Sequence, residues 1–145
     1  MNLKRTVGLM ILIGATWGAT ARADDQDVID YRQHIMKTLE AQSAALGQIL
    51  SGAVPDDNLV VHLNTLALTA STALKAFEPQ VQGGESKPEV WAKWPDFSKR
   101  MKDFADKTAL TAKIAKEQGK DAATEHVMEA LSCKSCHDTY RAQKK

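Results

Sequence analysis

The chain has 145 residues and only two cysteines, Cys133 and Cys136, with His137 directly after them. Two thiols three residues apart fall on one side of a helical turn. Both can therefore add to the two vinyl groups of one porphyrin, and the next residue places an imidazole under its iron. Cys-x-x-Cys-His is the attachment motif of c-type haem. Two other readings of the thiols fit less well. A thioredoxin-like disulfide opens the first helix of a βαβ unit, and no strand pattern surrounds this motif. A zinc site needs about four N, S or O donors, and the motif offers three. The motif predicts one covalent haem c, held by Cys133 and Cys136, with His137 as an iron ligand.

The remaining residues must deliver that motif to the right compartment and position it. Lys4 and Arg5, the apolar run from Val7 to Trp17, and Ala21-Arg22-Ala23 read as the charged, apolar and cleavage regions of a secretory signal peptide, residues 1–23. The apolar run, interrupted by Gly14 and Gly18, is too short for a membrane span of about 20 residues. Haem c is attached outside the cytoplasm, so the expected product is residues 24–145 in a bacterial periplasm, free of the membrane after cleavage. Removing Lys4, Arg5 and Arg22 from 19 basic side chains leaves 16 against 18 acidic ones, a net charge of −2. That balance lacks the basic footprint of a nucleic-acid binder. A periplasmic redox partner would have to be met through local patches rather than an overall field.

After residue 23 the pattern is helical throughout. Val28, Ile29, Ile35, Met36, Leu39, Leu46, Ile49 and Leu50 mark one face of a first helix, and Leu59 to Phe77 carry a second. Pro79, Gly83, Gly84 and Pro88 punctuate one long connection, which Trp91 and Trp94 are expected to pin to the core. A third helix starts near Pro95-Asp96 and ends at Gly119. A fourth, capped by Asp121, runs through Val127, Met128 and Leu131 into the haem motif. The predicted fold is all-α, an antiparallel up-down-up-down four-helix bundle.

In that topology the start of the first helix lies beside the end of the fourth. His137 is eight residues from the last residue, about 12 Å at about 1.5 Å per residue. Met36 is eleven residues past Asp25, about 16 Å from the other direction. The two are level within about one turn, as opposed iron ligands require. Met101, early in the third helix, lies near the same level and stays open as a rival. His126 and Met128 share the fourth helix with His137 and are too far along it. His62 belongs to the other end of the bundle, and His34 to the opposite face from Met36. Arg32, one turn before Met36, needs a partner, which haem propionates or a surface ion pair could supply.

The run Cys-Lys-Ser-Cys-His-Asp-Thr-Tyr-Arg at 133–141 resembles the ending of the class II c-type cytochromes, which comprise cytochrome c′ and its low-spin relatives. Tyr31-Arg32-Gln33 is similar to their first-helix motif, and Lys87-Pro88-Glu89-Val90-Trp91 to the segment before their third helix. The resemblance spans residues 24–145. It implies that Cys133 and Cys136 form the thioethers and that His137 is the proximal iron ligand. It further implies that Arg141 stands beside the proximal imidazole and that Arg32 and Gln33 approach the propionates. The distal position, third after Gln33, is Met36, in agreement with the helix geometry.

The distal residue divides the functions in that family. In cytochrome c′ an apolar side chain covers a five-coordinate haem that takes up nitric oxide or carbon monoxide. In the low-spin relatives a methionine binds the iron and the protein carries electrons. Some five-coordinate members also have methionine there. The stretch Val61-His62-Leu63-Asn64-Thr65-Leu66-Ala67-Leu68-Thr69-Ala70 is more similar to the low-spin group. The reading is a periplasmic electron-transfer cytochrome with His137 and Met36 as axial ligands. Its alternative is a five-coordinate cytochrome c′ that binds nitric oxide or carbon monoxide. No acid, base and nucleophile constellation points to an enzyme. Members of the family are often homodimers through their first two helices.

Overall fold

The computed structural model describes residues 24–143. The expected signal peptide, residues 1–23, lies outside the described residues. Helix α1 spans Asp25–Leu50. The Asp24 carboxylate accepts from the Asp27 amide, and Asp25 and Asp27 add charge to the first turn, where the helix dipole favours it. Gly52, at φ +75°, supplies the left-handed residue that ends the helix. Helix α2 spans Leu59–Ala73 and tightens into a 3₁₀ turn at Leu74–Phe77. A short helix, α3, covers Glu89–Ala92. The long helix α4, Trp94–Ala130, follows, and then α5, Cys133–Tyr140.

Helix α4 is broken at Gly119, whose φ of 86° and ψ of −174° are not helical. On a straight helix, residues 22 positions apart would be separated by about 33 Å. Yet the Lys107 ammonium lies 2.6 Å from the Glu129 carboxylate. The chain therefore folds back at Gly119, and 94–118 and 120–130 form the third and fourth members of an antiparallel four-helix bundle with α1 and α2. Among the described residues there is no sheet, only isolated bridges at Gly83, Ser86 and Arg141.

The core runs along the α1, α2 and α4 seams. Leu39, Leu46 and Ile49 of α1, Leu59, Leu63, Leu66 and Ala70 of α2, and Ala112, Ala115 and Val127 of α4 belong to one buried apolar cluster. An aromatic string, Phe77 to Phe97 to Tyr140, with ring centroids 5.0 and 5.2 Å apart, ties the end of α2 to α4 and α5. Trp91 pins the long connection by donating from its indole nitrogen to Phe77 O at 3.0 Å, and Trp94 packs on Phe97. Truncating the fully buried Leu46 or Leu63 to alanine removes methyl groups from a close-packed seam. Each variant is expected to lose about 2–5 kcal/mol, read as a lower guanidinium midpoint.

One feature differs from the continuous last helix expected from sequence. Helix α4 stops at Ala130, and Leu131 and Ser132 leave helical geometry (ψ 28° and 46°) before α5 begins. The Cys133 amide turns back to Leu131 O at 2.7 Å. No glycine or proline marks this break, so periodicity alone ran the two helices together. The break leaves the Cys-x-x-Cys-His helix free to take its own direction.

Candidate functional site

Cys133, Cys136, His137 and Tyr140 follow the i, i+3, i+4, i+7 pattern of one helical face, and that face of α5 forms one wall of a cavity of about 630 Å³. Helix α1 supplies the facing wall with Ile29, Arg32, Gln33, Met36 and Glu40, again at helical spacing. Helix α4 adds Phe97, Arg100, Met101, Phe104 and Lys107. The segment Gly83–Ser86 closes one side. A second, smaller space of about 250 Å³ lies at the α1–α2 turn.

All seven residues singled out from sequence (Cys133, Cys136, His137, Met36, Arg32, Gln33 and Arg141) line the large cavity. Met101 lines it too and is largely buried. The histidines and the methionine set aside from sequence do not line it. His62 pairs through Nδ1 with the Gln42 side-chain oxygen at 2.8 Å, His34 is exposed, His126 is half-buried elsewhere, and Met128 is 70% exposed.

Two groups carried almost no sequence signal. Tyr140 Oη donates to Asp96 Oδ2 at 2.5 Å, and Arg100 Nε donates to the same oxygen at 2.7 Å; the tyrosine and the aspartate are 44 residues apart. The strap from Val81 to Lys87 is held mainly through backbone groups, which no side-chain pattern announces. The spacing of Tyr140 from Cys133, seven residues, was the one available hint.

The site favours neutral, uncharged donors. Burial, then the nearby Arg141 guanidinium, lowers the His137 imidazole below its ordinary value. Burial raises the Cys133 and Cys136 thiols. Tyr140 is pushed up to about 12 by burial and then by Asp96. Bonds from Tyr140 and then Arg100 hold the Asp96 carboxyl below the usual range. A carboxylate favoured by the fold contributes stability above its unfolded value of about 3.9, and the contribution disappears as pH falls through the lower folded value. Asp96→Asn is therefore expected to show a shallower loss of helical signal than the parent below about pH 4, measured by circular dichroism.

Arg32 lines the cavity, and the chain itself also supplies it with partners. Arg32 is 2% exposed. Its Nη1 donates to Val81 O at 2.6 Å and its Nη2 to Gly83 O at 3.4 Å. Its guanidinium carbon lies 5.2 Å from the Trp91 ring and 5.6 Å from that of Phe77. Carbonyls and ring faces satisfy a buried guanidinium as carboxylates would. Burial lowers its pKa from the ordinary value.

A flat, largely apolar prosthetic group fits this cavity. Its volume is within the range of about 300–1,000 Å³ usual for ligand sites. Two free thiols and one imidazole stand on the same wall, Phe97, Phe104 and Val90 give apolar contact, and Lys37, Arg100 and Arg141 are available for anionic edges.

The family model described as Cytochrome C′ matches residues 27–141. Cytochrome c′ of Alcaligenes xylosoxydans xylosoxydans is 29% identical, over 84% of this chain and 98% of its own. Cytochrome c-556 of Agrobacterium fabrum is also 29% identical, over 99% of each. The structure of cytochrome c prime from Shewanella frigidimarina superposes with a TM-score of 0.77 at 24% identity, over 85% of this chain and 100% of its own.

Proposed function

The chain belongs to the cytochrome c′ family, as a class II c-type cytochrome with covalently attached haem c, and from that premise we propose that it binds nitric oxide or carbon monoxide on the α1 side of the haem. Haem c, when bound, would supply an iron that changes oxidation state by one electron and can take up a small neutral ligand. Cys133 and Cys136 would hold it through thioether bonds and His137 would offer its imidazole nitrogen to the iron, burial and then Arg141 lowering the imidazole pKa.

The observation that carries the reading is the place of Met36. It lines the same cavity as His137, from α1 where His137 comes from α5, and packs, half-buried, against the apolar core. A methionine has three rotatable bonds and adapts its shape to what it covers. In this reading Met36 shields the distal face from water without closing it, and gives way to an uncharged diatomic molecule. Three of the five similar curated proteins are cytochromes c′.

A second reading, electron transfer with the Met36 sulfur bound to iron, is supported by the thioether itself, which favours the ferrous state. The remaining two similar proteins are cytochromes c-556. The optical spectrum with and without carbon monoxide separates the two. A high-spin ferric spectrum and prompt uptake are expected for the first. A low-spin spectrum with a sulfur-to-iron charge-transfer band and excluded carbon monoxide would replace it with the second. In either case the protein acts as a carrier or binder and not as a catalyst.

The proposal places residues 24–145 in a bacterial periplasm after cleavage of 1–23, where they would meet a redox partner protein. Among the described residues no helix is long and apolar enough to cross a membrane. Self-association through α1 and α2 belongs to the same proposal. Helix α2 has no charged residue, and its Val61 and Leu68 are 59% and 71% exposed. Leu68→Glu is expected to shift the sedimentation coefficient from dimer to monomer while leaving the optical spectrum unchanged.

A further inference from the structure

We propose that Arg32 is a positioning residue that fixes the strap 81–87 across the cavity, and through it sets the distance between the Met36 wall and the haem-bearing helix. The strap has two anchored edges. On the α1 side, Arg32 holds Val81 O and Gly83 O, and the strap backbone lies directly on the turn that precedes Met36. A Cβ added to Gly84 would come within 2.8 Å of Gln33 Nε2 and 2.9 Å of Ile29 Cγ2, and Gly84 has a φ of +62°. Only glycine suits both the conformation and the close approach.

On the α5 side, the strap joins the backbone just beyond His137. The Lys87 amide donates to Tyr140 O at 3.0 Å, and the Ala142 amide donates to Glu85 O at 2.8 Å. Lys87 Nζ reaches Asp138 O at 3.0 Å. The strap thus spans from the turn before one candidate iron-facing residue to the turn after the other. A displacement at either edge is transmitted to the space between them, because close-packed elements shift together. Arg32 acts on that space through backbone carbonyls. A lysine at this position keeps the charge but loses the planar two-pronged donor.

The test uses the haem-loaded protein and three variants: Arg32→Lys, Gly84→Ala and Ala142→Pro. The last deletes the amide that reaches Glu85 and suits the extended backbone of Arg141 before it. It leaves α1 untouched should Gly84→Ala fail to fold. Amide exchange at Lys87 is expected to rise by about fivefold or more in each variant, the scale set by one lost hydrogen bond. Carbon monoxide affinity and the high-spin fraction are expected to shift in a common direction. Combining Arg32→Lys with Ala142→Pro should add little to the larger single effect, as coupled sites do.

Wild-type exchange and affinity in Arg32→Lys would show that charge alone matters, and would overturn the proposal. Raised exchange with unchanged ligand affinity and spin state would overturn it too, by uncoupling the strap from the distal face. The optical measurements rest on the haem reading of the cavity; the exchange measurement does not, so the two fail separately.

Discussion

A Cys133→Ala, Cys136→Ala double variant is expected to lose all covalently held haem, and with it most of the stability of the bundle. The intact mass under denaturing conditions should be that of the polypeptide alone, and a haem stain of a denaturing gel should be blank. In the proposed reading each cysteine would contribute a bond that survives denaturation, and no other cysteine exists in the chain. The structural loss follows from the cavity. The cavity of about 630 Å³ would leave its apolar lining, Val90, Phe97 and Phe104 included, without a packing partner, and unfilled apolar surface draws on a domain stability of only about 5–15 kcal/mol. Far-ultraviolet circular dichroism of the double variant should show reduced helix content and a broadened melt. A variant that keeps covalent haem would sink the assignment of the motif.

The second large effect is expected at Arg32→Ala. The substitution strips donors from Val81 O and Gly83 O, both in half-buried residues, and an acceptor left without a donor costs up to about 1–3 kcal/mol. It also removes a cation from between the Trp91 and Phe77 rings, a contact of about 0.5–2 kcal/mol each. These contributions overlap, so the expected loss is about 3–5 kcal/mol, a fall in Tm of about 10 °C or more. The surface pairs Lys99–Asp103 and Lys134–Asp138 provide the control. Exposed pairs contribute about 0–1 kcal/mol, and alanine at Lys99 should leave the melt nearly unchanged. An Arg32→Ala melt as high as that of the control would show that the guanidinium contributes little to the fold.

The bundle was legible because its determinants are local. Apolar spacing at 3.6 residues defined α1 and α2, and Gly119 announced the reversal in α4. The site residues were legible for the same reason, since the faces of α1 and α5 that line the cavity repeat at helical intervals. Less visible were the features decided by distant segments. Arg32 was expected to seek anionic groups, and it found carbonyls some fifty positions away, at Val81 and Gly83. Asp96 reads locally as the start of a helix, and its bond to Tyr140 exists only once α4 and α5 have packed. The Leu131–Ser132 break lacks any residue that forbids a helix, so only the direction demanded of α5 reveals it.

Among the described residues, the half-buried side-chain hydrogen bonds that span the most sequence all gather around the cavity. Arg32 reaches across 49 and 51 positions, and Tyr140 across 44. The Gln42–His62 contact at the other end spans only 20. Closing a longer loop costs more chain entropy, and distant contacts form late. Folding is therefore expected to begin at the α1–α2 hairpin and to finish at the cavity, with the last wall closing after the bundle has its shape. That order leaves an interval in which a nearly finished bundle still exposes both thiols and the imidazole to an incoming porphyrin.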